Sequence, residues 1–202
     1  MFGVTAVGIA CVRSDMRGIR SLIGDGETEF GDETAFEPEY LPDPGSFLLG
    51  QDVLDGQRHV QFHQLTAEIF EERGVYDMTF GYNLAKLNRD TRHTEAGYRY
   101  AVDAEDPSVL RAEFSPTTEF CPQSDTLTKG SFRAWNALSD RHEYDLVRVR
   151  VAETHQQSDA VNETLAEMER QYRETGSLDA VETAEDIPKP TIEQGTDPEA
   201  PF

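Results

Sequence analysis

Hydrophobic and polar positions alternate with a period of two in three stretches of the chain. Tyr98, Tyr100 and Val102 alternate with Arg99 and Ala101. Leu110, Ala112 and Phe114 alternate with Arg111, Glu113 and Ser115, and Val147, Val149 and Val151 with Arg148 and Arg150. This is the pattern of strands with one buried face. Residues 103–108, with Asp106-Pro107, read as a hairpin-type turn, which makes the first two strands antiparallel neighbours. Pro116 ends the second strand because it has no N–H to give a ladder. Helical spacing recurs three times. Phe62, Leu65 and Ile69 form a stripe within residues 54–73, and Gly74 is the stop. Leu127, Ser131, Trp135 and Leu138 form the second, with Ser124 or Asp125 as the expected N-cap. Val161, Leu165, Met168 and Tyr172 form the third, capped by Ser158 or Asp159 and stopped by Gly176. Residues 75–82 are aromatic and β-branched enough for one more strand, and residues 83–97 read as a polar loop. The order is helix, three strands, helix, strand, helix. It predicts an α/β fold: a small mixed sheet with helices packed on one face. Arg148 and Arg150 are expected to lie on the other, wet face.

Outside this core the pattern fades. Residues 1–50 mix Gly, Asp, Glu and Pro with scattered apolar residues and read as a flexible arm, with Phe47-Leu48-Leu49 as a short anchor. Residues 51–175 form the α/β domain, and residues 176–202 read as a disordered acidic tail. The 202-residue chain carries 39 acidic and 18 basic residues, a formal net charge of -21. Such a surface repels nucleic acid and anionic membranes, so neither is expected as a partner. Lysine occurs only at Lys86, Lys129 and Lys189. Scarce lysine with acids spread through the folded part points to adaptation to high salt, as in halophilic archaea. Cys11 and Cys121 are the two cysteines, too few for a disulfide framework. The apolar opening is too short to span a bilayer and has no basic flank. These features place the protein in a reducing cytoplasm.

Cys121 is the residue with the most chemistry. It falls between a strand and a helix start, where free backbone N–H groups and the helix dipole favour an anionic sulfur. A buried, inert thiol is the competing reading, made less favoured by Pro116 and Pro122 around it. His59 and His63 are four apart on a helix, but the Glu of a zinc-protease motif is absent, so a structural pair is expected. Thr117 and Thr118 are hydroxyls of the kind that satisfy loop backbone, and Asn162 reads as a hydrogen-bonding brace. A cysteine-nucleophile enzyme would need His142 or His155 within reach of the sulfur. No Cys-His pattern of a known hydrolase is present.

Two blocks carry a resemblance. Residues 112–125, Ala-Glu-Phe-Ser-Pro-Thr-Thr followed by Cys121-Pro122-Gln123-Ser124-Asp125, resemble the signature loop of the metal–sulfur cluster assembly family. That family joins eukaryotic cytosolic iron–sulfur targeting factors to the SufT-like and PaaD-like proteins of prokaryotes. Residues 154–165, with Thr154-His155 and Ala160-Val161-Asn162, are similar to the second eukaryotic block. The resemblance covers residues 97–172. The family's usual opening helix and Asp-Pro-Glu are not visible, and residues 83–97 look like an insertion. The resemblance implies a non-enzymatic adaptor or transfer factor in iron–sulfur protein maturation. Cys121 would be its functional thiol and a transient metal ligand. Pro116, Thr117, Thr118, Pro122, Ser124 and Asp125 would form the loop around it, with His155 and Asn162 in support. One usable thiol cannot hold a cluster that wants four thiolates. Any iron–sulfur cluster would be bridged between subunits, as in a homodimer, or completed by a partner. The implied partners are iron–sulfur apo-proteins or assembly factors. The PaaD-like branch implies the alternative, an accessory interaction module of an oxygenase-type complex.

Overall fold

The computed structural model describes residues 40–178. In chain order the elements are β1 (Asp52–Val53), α1 (Gly56–Arg73), β2 (Tyr76–Asp77), β3 (Tyr82–Asn83), β4 (Gly97–Val102), β5 (Val109–Ser115), α2 (Ser124–Ala137), β6 (Leu146–Val151) and α3 (Ser158–Thr175), with short 3-10 turns at Ser46–Leu48, Leu84–Arg89 and Ser139–Arg141. The fold is mixed α/β. One sheet has the order β1-β4-β5-β6, and β2 and β3 form a separate hairpin. β4 and β5 run antiparallel, with Tyr98 opposite Phe114 and Val102 opposite Leu110. β5 and β6 run parallel, with Ala112 opposite Val149. Parallel neighbours need a long crossover, and α2 supplies it.

The alternation read from the sequence sets the core. Tyr98, Tyr100, Leu110, Ala112, Phe114, Val147, Val149 and Val151 are all buried against the helices. Trp135 stands at the centre, its ring 4.9 Å from Phe70 and 5.2 Å from Tyr98. The polar atoms of these rings find partners, as buried donors must. Tyr98 Oη donates to Ser131 Oγ at 2.8 Å, and Trp135 Nε1 donates to Thr66 Oγ1 at 3.3 Å. The His59–His63 pair belongs to this core. The two rings stack 5.5 Å apart. His63 Nε2 donates to Ala85 O and its Nδ1 accepts from Tyr100 Oη, both at 2.7 Å. Burial holds both histidines well below their ordinary pKa, His63 at about 4.

Several expectations change. Residues 75–82 form not one strand but the β2–β3 hairpin. Residues 83–97 are not simply a loop. The 3-10 turn Leu84–Arg89 buries Leu84 and Leu87, so apolar anchoring wins over the polar composition. Neither expected N-cap acts as one. The caps are Gln123 for α2 and Gln157 for α3, without side-chain capping bonds. Asp125 instead pairs with Lys129 at 2.9 Å.

The largest correction concerns the arginine face. It is not wet. Residues 45–48, at the end of the segment read as a flexible arm, pack against it, and Phe47-Leu48 act as the short anchor expected there. Gly45 N and Phe47 N donate to the two oxygens of the buried Glu113 carboxylate, at 2.6 and 3.2 Å. A Cβ at Gly45 would overlap that carboxylate. The Phe47 ring lies 5.1, 5.8 and 5.2 Å from the guanidinium carbons of Arg111, Arg148 and Arg150, within cation–π range. Leu48 is fully buried, while Leu49 is 68% exposed. From the β6 side Glu169 of α3 reaches Arg148 Nε and Arg150 Nη2, both at 2.9 Å. The expected arm and tail outside residues 40–178 lie beyond the described residues.

The edge strand β6 keeps its outer backbone groups satisfied through side chains. Asn136 Nδ2 donates to Val147 O and Asn136 Oδ1 accepts from Val147 N, both at 2.9 Å. Asn162 does the same at Val151, at 2.9 and 2.8 Å. Each carboxamide acts as one residue of a missing strand. This protects an edge that would otherwise template pairing with another chain.

Candidate functional site

The two motif blocks meet at the C-terminal ends of the parallel strands β5 and β6. That is where the crossovers of α/β sheets leave a crevice for chemistry. The part of the first block beyond β5 is the loop from Pro116 to Gln123, and the second block, residues 154–165, opens with the loop that leads from β6 into α3. Two hydrogen bonds join them directly. His155 Nε2 donates to Cys121 O at 3.0 Å, and Gln156 N donates to Glu119 O at 2.9 Å. Ala152 N also donates to Phe114 O at 2.8 Å, extending the β5–β6 pairing by one residue.

Cys121 sits three residues before α2, and it is partly exposed. Its backbone is held on three sides. Its N–H donates to Thr118 O, and its carbonyl accepts from both Ser124 N and His155 Nε2. The loop is therefore fixed by main-chain bonds, and the sulfur takes no part in fixing it. Ser124, expected in the loop, is fully buried as the first residue of the helix, and Pro122 is exposed. Pro116, Thr117 and Thr118 line a neighbouring cleft of about 530 Å³ together with Thr154 and the 42–46 segment. Glu113 also lines it. Burial raises the pKa of that carboxyl, with the Gly45 and Phe47 amides opposing and Glu153 adding to the rise.

The two supporting residues turn out to be structural. His155 is buried, and both ring nitrogens are engaged. Nε2 donates to Cys121 O and Nδ1 accepts from Gln157 N at 3.2 Å. Neither nitrogen is offered to the sulfur as a base or to a metal as a ligand. Asn162 is the β6 clamp described above. His142 lies beyond the far end of α2, whose 14 residues span roughly 20 Å at 1.5 Å per residue. It donates from Nε2 to Trp135 O at 3.1 Å.

One residue inside the first block carries more than its sequence suggested. The Gln123 carboxamide accepts from Met78 N at 3.1 Å and donates to Thr79 Oγ1 at 2.5 Å. It ties the tip of the β2–β3 hairpin to the Cys121 loop. No local signal announces this, since the partner lies 44 residues away in the chain. Glu113 was equally hidden; within a strand pattern it read as a solvent-facing acid.

Among the described residues no group of three or more His, Cys, Asp or Glu side chains is disposed to hold a metal ion. A resident cluster with ligands from this part of the chain alone does not fit. No described helix is long and apolar enough to cross a membrane.

Fold and site together define a mixed α/β domain that presents one cysteine loop at the ends of two parallel strands. The chain belongs to the family described as Domain of unknown function (DUF7998), whose match spans residues 28–179. No curated protein and no solved structure matches it.

Proposed function

We propose that this protein is a non-enzymatic adaptor or transfer factor in the maturation of iron–sulfur proteins, working in the cytoplasm through Cys121. The observation that carries the reading is the clasp between the two resembling blocks. His155 and Gln156 of the second block bond the backbone of Cys121 and Glu119 in the first, and the thiol stays partly exposed. Residues 34 apart in the chain thus form one unit, as a shared role requires. A cluster or iron ion is cargo in this reading. Cys121 supplies one soft ligand during a hand-over, and the remaining ligands come from an apo-protein, an assembly factor or small thiols.

A cysteine-nucleophile enzyme is less favoured. His155 has both nitrogens engaged, and His142 sits at the opposite end of α2. The accessory-module alternative would use the Arg148/Arg150 face or the acidic tail for a client; the face is already covered by Phe47 and Glu169, and the tail lies outside the described residues.

The test replaces Cys121 with Ala in the chromosomal gene and measures an iron–sulfur enzyme in cell extracts. Loss of that activity with normal levels of folded Cys121→Ala protein is expected. Undiminished activity would overturn the proposal.

A further inference from the structure

Three large hydrophobic side chains are left exposed among the described residues: Leu49, Met78 and Phe120, at 68, 80 and 67%. Leu49 lies toward the β4–β5 turn, where Gln51 bonds Ala104 N. Met78 and Phe120 are at the opposite end, on two segments that Gln123 joins. Met78 is on the hairpin tip that Gln123 ties down, and Phe120 is three residues before Gln123 on the same loop. Two apolar side chains held on a braced backbone, in a chain this charged, are the composition of an interface anchor.

A matching recess lies beside them. A cavity of about 200 Å³ opens between the end of α1, β2 and the first turns of α2. Val75, Leu127 and Gly130 give it an apolar floor. A Cβ on Gly130 would lie 4.0 Å from both Val75 methyls, at van der Waals contact, so these two residues face one another across the recess. Exposed Arg73 and half-buried Arg133 are among its lining residues. The anchor, by contrast, is flanked by the exposed acid Glu119. Apolar anchor with acidic flank and apolar recess with basic lining residues are complementary. They lie side by side on one end of the molecule, which is the arrangement a twofold, self-complementary contact requires.

We infer that this end is a homodimer surface, in which Phe120 and Met78 of one chain enter the Val75–Leu127–Gly130 recess of a second copy and Glu119 meets Arg73. The contact forms twice about the axis. Two chains of net charge -21 repel one another. Association therefore depends on salt, which screens that repulsion while leaving apolar burial intact. The inference does not depend on thiol chemistry, so Cys121→Ala associates as the wild type does.

Sedimentation equilibrium of the full chain under reducing conditions tests it, at low salt and at about 2 M potassium chloride, where the screening length is below about 3 Å. The expected result is a monomer at low salt and a dimer at high salt. Phe120→Asp and Met78→Asp each weaken the dimer at least tenfold, and both substitutions are at exposed positions, so circular dichroism stays unchanged. The exchange Glu119→Arg with Arg73→Glu, read at the lowest salt at which the wild type still associates, restores association that either change alone reduces. A chain that stays monomeric at both salt concentrations overturns the inference. So does a dimer indifferent to Phe120→Asp and Met78→Asp, which would place the contact elsewhere.

Discussion

The two faces of the sheet are buried by different physics. The helix side is closed by aromatic and aliphatic packing around Trp135, with a few hydroxyls to satisfy ring donors. The other side is closed by charge. Arg111 pairs with Asp103 at 2.7 Å, Arg148 and Arg150 share Glu169, and Glu113 holds the backbone of the 45–47 turn. One phenylalanine, Phe47, lies over three guanidinium groups in place of a hydrophobic layer. Alternation in a strand therefore does not by itself separate a dry face from a wet one. Here Val-Arg-Val-Arg-Val has two covered faces, one of them ionic.

The faces are expected to fail differently. On the helix side, Trp135→Ala leaves a large void and costs about 3–5 kcal/mol in denaturant unfolding. On the ionic side, Glu169→Ala removes the shared partner of two half-buried guanidiniums, with an expected loss of about 2–3 kcal/mol. A loss below that for Glu169→Ala, measured at low salt, would mean that water reaches the arginines after all. Phe47→Ala removes only the ring over them, and about 1–2 kcal/mol is expected.

A pH titration separates the faces further. His63 is buried on the helix side with its pKa lowered from 6.5 to about 4. The unfolded chain therefore takes up this proton first as pH falls. The stability that His63 contributes is present above pH 6.5 and is lost progressively as pH drops toward 4, on the order of 3 kcal/mol in all. Unfolding free energies across that window should show the decline in wild type and a smaller one in His63→Gln. An effect as small as that of Phe47→Ala is expected at the β6 edge. Asn162→Ala leaves Val151 N and O without their partner and costs about 1–2 kcal/mol. It leaves both faces in place.

Most of the secondary structure was legible because it rests on periodicity. The three long strands, the three helices and the antiparallel β4–β5 pair follow from patterns within a dozen residues. What escaped was set by distant partners. Glu113 looks like a solvent-facing acid until the 45–47 turn is folded onto it, and Gln123 looks like a loop residue until the hairpin tip arrives. The N-caps were misplaced for a related reason. Ser124 and Ser158 have the right side chains, but they are buried as first helical residues rather than standing outside the helix. In the candidate site, the sequence located Cys121 and its strand-to-helix setting. It also nominated His155, whose role as a carbonyl donor emerges only when the second loop is laid against the first.

The account depends above all on the Cys121 sulfur being reachable while its loop is clasped shut. Iodoacetamide labelling of the folded Cys11→Ser protein, followed over time and located by peptide mass, measures this directly. Labelling of Cys121 without unfolding is expected, at a rate that does not change with sub-denaturing urea. Labelling that appears only as the protein unfolds would show a sealed thiol, and the transfer function would have no atom to work through.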